Sequence, residues 1–325
     1  MRAFVTGGSG VVGGAVIRHL VAGGHRVRAL ARSSEAAHEV AELGAEPVSG
    51  ALSDRAALAD GMTGADVTFH VAGVNEMCVR DPGWMFRVNV DGTRRLLEVA
   101  DEVGLPRVVV TSSAATLGEE QGTVGTESSE HRGWFLSDYE RSKYLQEQAA
   151  LVDHRGPTEV VCVNPSSVQG PGRATGTGRI ILDVLGGRIP VLPDAPLSMV
   201  DIDDCATGHL LAAEHGAPGQ RYVLNGFTMT TREAVDLLAR RTGIEPRTRF
   251  LPDWVTRGLA AGVAGVERFA TLPPPLCAEM VRTMAFGHTY DGSRARTGLG
   301  LEYRPAEMTF ERLVAWFRAE GLLDR

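Results

Sequence analysis

Tyr139 and Lys143 stand four residues apart, so on a helix their side chains rise from one face. The chain holds 33 basic residues, and Lys143 is its single lysine; the other thirty-two are arginine. A guanidinium is planar and never gives up its proton, whereas an ammonium is a compact point charge with three rotatable donors. Beside a phenol, such a cation stabilises the phenolate and lowers a pKa that is ordinarily about 10. The pair therefore predicts a tyrosine tuned by its lysine to act as general acid and base near neutral pH. A bare Tyr-x-x-x-Lys also occurs on ordinary solvated helices, so its weight here comes from the composition and from what precedes it. One further group belongs to this chemistry. The apolar run Arg107-Val108-Val109-Val110 ends in Thr111-Ser112-Ser113, and a hydroxyl at such a strand end can hydrogen-bond a substrate carbonyl and help polarise it.

The elements that must hold these groups begin at the N-terminus. Ala3-Phe4-Val5 reads as a strand, and Thr6-Gly7-Gly8-Ser9-Gly10-Val11-Val12-Gly13 leads into a helical pattern from Ala15 to Val21. Strand, glycine turn and helix are the context a dinucleotide fingerprint requires. Gly7 permits the tight turn, Gly10 lets backbone approach a diphosphate, and Gly13 lets the helix pack close to the strand. Thr6, Ser9 and Val11 join the cofactor set by position, the phosphates meeting the N–H groups at the helix start. A second strand, Arg26 to Ala31, ends without the acid that usually meets a ribose 2′-hydroxyl, and Arg32 stands there instead. An arginine suits a 2′-phosphate bidentately, so NADP(H) is the favoured cofactor, with NAD(H) the alternative. Pro47 to Asp54 reads as a third strand and the next helix cap. A fourth strand, from Ala65, closes in the small residues Ala72 and Gly73 where a cofactor would cross; His70 inside it reads as a packed core residue. A long helix is predicted from Phe86 to Val103 and a sixth strand over Glu159 to Val163.

These motifs together resemble the extended short-chain dehydrogenase/reductase family, and within it the dihydroflavonol-4-reductase branch and its bacterial epimerase/dehydratase-like relatives. The residues that carry the resemblance are Thr6-Gly7-x-x-Gly10-x-x-Gly13, Asn89-Val-Asp-Gly-Thr93, Thr111-Ser-Ser113, Tyr139-x-x-x-Lys143 and Asn164-Pro165-Ser-Ser-Val168-Gln-Gly170-Pro171. It implies a doubly wound parallel sheet (Rossmann) over residues 1–168, with returns near 199–225. A smaller, α-rich C-terminal substrate lobe would occupy most of 169–325. It also implies that Ser113 and Tyr139 bind the reacting oxygen. Lys143 would hold the nicotinamide ribose and lower the tyrosine pKa, while Pro165, Ser166 and Val168, after Asn164, would lie by the nicotinamide. Three departures matter. Gly50-Ala51 lacks the acid that commonly meets the adenine, leaving that contact to the Leu52 backbone. Ala114-Ala115 replaces the Asp-Glu of sugar-nucleotide dehydratases, and Ser167 replaces an Asn that helps hold a sugar nucleotide. The activity implied is hydride transfer between nicotinamide and a carbonyl or secondary alcohol, with an epimerase or a catalytically silent NADP-binding protein as alternatives.

The expected substrate set is Asn75, Ser113, Trp134, Tyr139, Gln169 and Arg173, on strand ends and on the loops Glu119–Ser137 and Gly170–Gly178. Arg173 and Arg179 could meet an acidic substrate group. Asp201, Asp203 and Asp204 form an acid cluster that reads as a helix cap rather than a metal site, and no metal is expected. Helices are predicted over Ala206–Glu214, Pro252–Phe269 and Thr309–Glu320, with a break at Pro273-Pro274-Pro275. A formal net charge of −7 argues against nucleic acid. No apolar run reaches the ~18 residues that span a bilayer, no leader is evident, and the chain reads as cytoplasmic. Cys78, Cys162, Cys205 and Cys277 show no metal spacing and read as core residues of a reducing compartment. The expected partner is a small-molecule substrate, with a homodimer left open.

Overall fold

The computed structural model describes residues 1–267, 272 and 277–323. The first half comprises β1 (Arg2–Thr6), α1 (Val11–Ala22), β2 (Arg26–Ala31), α2 (Ser34–Glu42), β3 (Glu46–Ser49), α3 (Arg55–Met62) and β4 (Val67–His70). Then α4 (Pro82–Phe86), a π turn at Arg87–Asp91 and α5 (Gly92–Glu102) run on as one helical stretch, followed by β5 (Arg107–Thr111), β6 (Val124–Gly125), α6 (Asp138–Gln148) and β7 (Glu159–Pro165). Beyond these lie β8 (Ser167–Gln169), α7 (Thr177–Leu185), β9 (Val191–Pro193), β10 (Pro196–Asp201), α8 (Ile202–His215) and β11 (Arg221–Leu224). The chain continues through β12 (Phe227–Thr230), α9 (Thr231–Thr242), β13 (Arg249–Leu251), α10 (Asp253–Val266), α11 (Ala278–Phe286), β14 (Thr289–Tyr290), α12 (Ser293–Leu299) and α13 (Ala306–Ala319).

Seven strands form one parallel sheet in the order β3-β2-β1-β4-β5-β7-β11. Strands covered on both faces read as unbroken apolar runs, and Val108-Val109-Val110 and Val160-Val161-Cys162-Val163 are such runs, all buried. The strand order reverses between β1 and β4, so the loops after these two strands part and leave a crevice at the carboxyl edge. Gly7 follows β1 at φ 73°, and a Cβ there would lie 2.6 Å from the Ala72 nitrogen at the end of β4. Only glycine lets the two strand ends approach so closely.

The C-terminal part has its own core, in which Leu182, Leu185, Leu237, Leu238, Phe310 and Phe317 meet. It is less purely helical than expected, because β8, β10 and β12 form a three-stranded sheet and β9 pairs with β13. Several boundaries also move. The helix expected from Ala206 starts at Ile202, with Asp201 as its N-cap accepting from the Asp203 N–H at 2.8 Å. The last helix starts at Ala306 rather than Thr309. The helix expected to reach Phe269 is described as Asp253–Val266, and Phe269 and the Pro273–Pro275 break lie outside the described residues.

The cysteine reading is corrected in part. Cys162 and Cys205 are buried free thiols, but Cys78 and Cys277 are joined in a disulfide that spans 199 residues of sequence. The tertiary fold brings them together: the loop after β4 meets the start of α11, with the Cα atoms 6.2 Å apart. Glu279 reinforces the same junction. Its carboxylate accepts from the Cys78 N–H and from the Asp138 N–H, each at 2.7 Å, tying α11 to the start of α6.

Candidate active site

The glycine turn has the form a dinucleotide requires. Gly10 caps α1 with no side-chain hydrogen bond, and no acidic residue lies in the first turn. The turn borders a cleft of about 300 Å³ whose lining includes Gly8, Ser9, Gly10 and Val11, Arg18, Glu39 and Glu42, and Pro171 and Gly172. A Cβ on Gly13 would collide with the Gly7 carbonyl oxygen, so the turn can pack in this form only with glycine there. Unpaired amides and a helix dipole, with no acid in the first turn, suit a diphosphate. When bound, a nicotinamide cofactor there supplies hydride chemistry.

Thr6 connects this turn to Lys143. Its hydroxyl accepts from the Ala72 N–H at 3.3 Å and, because Thr93 at the other side of the His70 ring spends its own proton on the Asn89 carbonyl, it donates to His70 Nδ1 at 2.8 Å. His70 must then carry its proton on Nε2, which donates to the Thr93 hydroxyl at 2.8 Å. Thr93 also receives the Gln146 side-chain N–H at 3.0 Å and donates to the Asn89 carbonyl at 2.7 Å. Burial pushes the His70 pKa down to about 3, and the ring is a neutral link in this chain. The far end is the lysine. Its ammonium donates to Gln146 Oε1 at 2.5 Å and to the Thr111 carbonyl at 2.7 Å. Burial lowers the Lys143 pKa to about 8. Gly73 keeps room beside it, since a Cβ there would stand 3.6 Å from Nζ.

A second buried network holds Ser113. Asn164 donates to the Ser113 carbonyl at 3.2 Å, to Thr116 at 2.9 Å and to the Glu147 carboxylate at 2.5 Å. Glu147 also accepts from Ser112 at 2.5 Å and pairs with Arg221 at 2.8 Å. The charge is thus buried with a partner, and it clamps the end of β5 to α6. The Ser113 hydroxyl accepts from the Ala115 N–H at 3.3 Å and lies near enough to Tyr139 to bear on its phenol. Burial raises the Tyr139 pKa, while the hydrogen bond from Ser113 and then the charge of Arg173 pull it partly back. The Lys143 ammonium is turned to the strand end and Gln146. The cation that acts on Tyr139 is Arg173.

A serine and a tyrosine converge where a carbonyl oxygen would sit, beside a glycine turn that fits a diphosphate. The family model for the NAD dependent epimerase/dehydratase family matches residues 3–224, well over half of the chain. The chain belongs to this family. It is 34% identical, over 98% of its length and 95% of the other's, to a Synechocystis sp. protein whose name proposes dihydroflavonol 4-reductase activity. It is 32% identical to the "4-hydroxy-2-methyl-3-oxo-4-farnesyl-3,4-dihydroquinoline-1-oxide ketoreductase" of Stigmatella aurantiaca, over 92% of this chain and 91% of that one. The crystal structure of gox2253 superposes with a TM-score of 0.88 at 33% identity, covering 99% of both chains.

Within this epimerase/dehydratase family member, the expected site residues divide by position. Thr6, Gly7, Ser9, Gly10, Val11, Gly13 and Ala72 surround the crevice, with Leu52 half-buried above α5, where its carbonyl accepts from Arg95 at 3.3 Å. Arg32 is exposed after β2 and has no acidic partner among the described residues. Pro165 and Ser166 lie at the end of β7, where the Ser166 N–H donates to the Leu224 carbonyl at 3.0 Å. Val168 belongs to the main core, and Gln169 is fully buried with its amide donating to Ser167 at 3.0 Å. Both side chains are buried where β8 pairs in parallel with β10 in the small sheet. Asn75 is exposed on the loop after β4. Trp134 is half exposed and stacks on the Arg132 guanidinium, which is paired with Glu140 of α6. The loop 119–137 contains β6, paired with β14, so it is pinned to the C-terminal part.

The acid cluster is spent on structure: Asp201 and Asp203 pair with Arg312, and Asp204 with Arg304. Sequence reasoning named Thr93 only within a motif and missed Gln146 and Glu147. Gln146 and Glu147 follow Lys143 by three and four residues, and that helical spacing was the available signal. Among the described residues no helix is long and apolar enough to cross a membrane.

Proposed function

We propose that this protein is an NADP(H)-dependent reductase that transfers hydride between the nicotinamide and a carbonyl or secondary-alcohol carbon of a small molecule. The observation that carries the reading is the Tyr139 phenol, set beside Ser113 and kept protonated by burial. A protonated phenol at a carbonyl oxygen is a general acid, and it provides the proton that follows hydride onto carbon. Lys143 holds its ammonium at the end of β5, and in this reading it anchors the ribose. Ala114 and Ala115, which follow Ser113, offer no second acid–base pair for eliminating water. The ketoreductase name of the Stigmatella relative agrees with carbonyl reduction.

Supplied with a suitable ketone, the protein should consume NADPH in a one-to-one ratio with product, read by absorbance and chromatography. Product formed without net cofactor oxidation would instead identify an epimerase working through transient oxidation. Arg32, free at the end of β2, should favour NADPH over NADH. Charge-assisted hydrogen bonds contribute about 1.5–3 kcal/mol each, so Arg32→Ala should erode the preference by roughly 10- to 100-fold. Titration of both cofactors into both proteins checks this; equal affinity in the unmutated chain removes the NADP assignment.

A further inference from the structure

We infer that Arg173 is a recognition site for an anionic group on the substrate, so that the ketones reduced are oxo acids rather than neutral ketones. The inference rests on the reading of Tyr139 as proton donor to a carbonyl. It begins with an imbalance of charge. Four other partly buried arginines are paired with acids: Arg132 with Glu140, Arg221 with Glu147, Arg304 with Asp204 and Arg312 with Asp201. Arg173 has none among the described residues, and its Nε is buried without a hydrogen-bond partner. Withdrawing a cation from water is costly unless an opposite charge meets it.

The loop is folded to hold the side chain there. Glycines replace side chains where it passes: a Cβ at Gly176 would stand 2.9 Å from Nη2, and one at Gly178 would stand 3.0 Å from Cγ. Of the two titratable groups whose charge bears on Arg173, one is the Tyr139 phenol and the other the Cys205 thiol. Burial raises both pKa values, so both are neutral at pH 7 and the described residues offer no counter-charge. The missing anion comes from outside.

A cofactor diphosphate is one source, since Pro171 and Gly172 border its cleft. The substrate is the source we assign, because the Arg173 charge is felt at the phenol, where the reacting oxygen sits, whereas the diphosphate belongs at Gly10 and Val11. A carboxylate on Arg173 would also cancel the cation's pull on Tyr139. The phenol would then keep its proton until the substrate is in place.

Binding and turnover are measured separately. With saturating NADP+, calorimetric titration of straight-chain carboxylates from butanoate to decanoate, against the matching amides, should show at least tenfold tighter binding of the best acid than of its amide. Arg173→Met should abolish that difference and Arg173→Lys should keep part of it, with cofactor affinity unchanged within about twofold in both. In turnover, a 3-oxo acid should exceed its methyl ester in kcat/KM by at least tenfold, again only with Arg173 present. No discrimination between acids and amides overturns the inference. So does a large loss of NADP+ affinity in Arg173→Met, which would give the guanidinium to the diphosphate. Acid-selective binding without any ketone turnover upholds the anion site and overturns only the reductase reading.

Discussion

Tyr139→Phe should lower kcat for ketone reduction by about 10²- to 10⁴-fold, the usual weight of a positioned general acid. The phenol has no other assignment in the structure: its ring is half-buried and its hydroxyl meets Ser113. Removing one oxygen therefore takes away the proton donor and leaves the packing as it was. NADPH affinity should stay within about threefold and the melting temperature should not fall. Ser113→Ala should cost less, about 10- to 10³-fold, since it orients and polarises the carbonyl without donating the proton that ends on oxygen. A Tyr139→Phe protein with more than a tenth of normal turnover would remove Tyr139 from the chemistry.

The second large effect is at Lys143. A surface helix would accept Arg there, but this side chain is only 5% exposed, so Lys143→Arg overpacks a filled site. Lys143→Met is the cleaner variant, and it should also lose at least 100-fold in kcat/KM. The pH dependence separates a functional ammonium from a packing residue. The folded pKa of about 8 lies below the ordinary 10.5. In the free enzyme the ammonium is lost as pH rises through about 8, so kcat/KM for reduction should be level near neutrality and decline above it. The variant's residual activity should show no such break. Stability moves the other way. Between about pH 8 and 10.5 the unfolded chain keeps the proton that the folded chain has released, so stability relative to Lys143→Met rises with pH across that window. Below about pH 8 both states hold the proton and the difference is constant. Urea midpoints of the two proteins across the window check this; parallel curves would mean that the lysine is not buried as described.

The site was legible where spacing or strand ends dictate it. β1, β5 and β7 lie inside a sheet covered on both faces, so their valine runs announce them, and the residues just past their ends are the ones that reach the crevice. The glycine turn is legible for a steric reason, since Gly7 and Gly13 stand where a Cβ has no room. What could not be read was burial. From the sequence, Lys143 is a cation on a helix beside a phenol, which predicts a lowered tyrosine pKa. Only the fold reveals that the ammonium is turned to Thr111 and Gln146, and that Tyr139 answers first to desolvation. Arg173 illustrates the same gap: its number in the chain says nothing about a partner, and the lack of one appears only once all its neighbours are placed. The two-residue strands β6 and β14, and the bond from Cys78 to Cys277, arise from long-range closure and leave no local pattern.

The seclusion of the one lysine has a practical side. Every positive side chain that reaches solvent on this molecule is a guanidinium or an imidazole, so apart from the chain terminus the surface presents no primary amine. Acylating dyes, aldehyde fixatives and amine-coupled sensor surfaces all need such an amine, and they will find little to grip. A reagent small enough to reach Lys143 reports on one address alone. Its rate of attachment, measured with and without dinucleotide, becomes a direct readout of whether that pocket is filled.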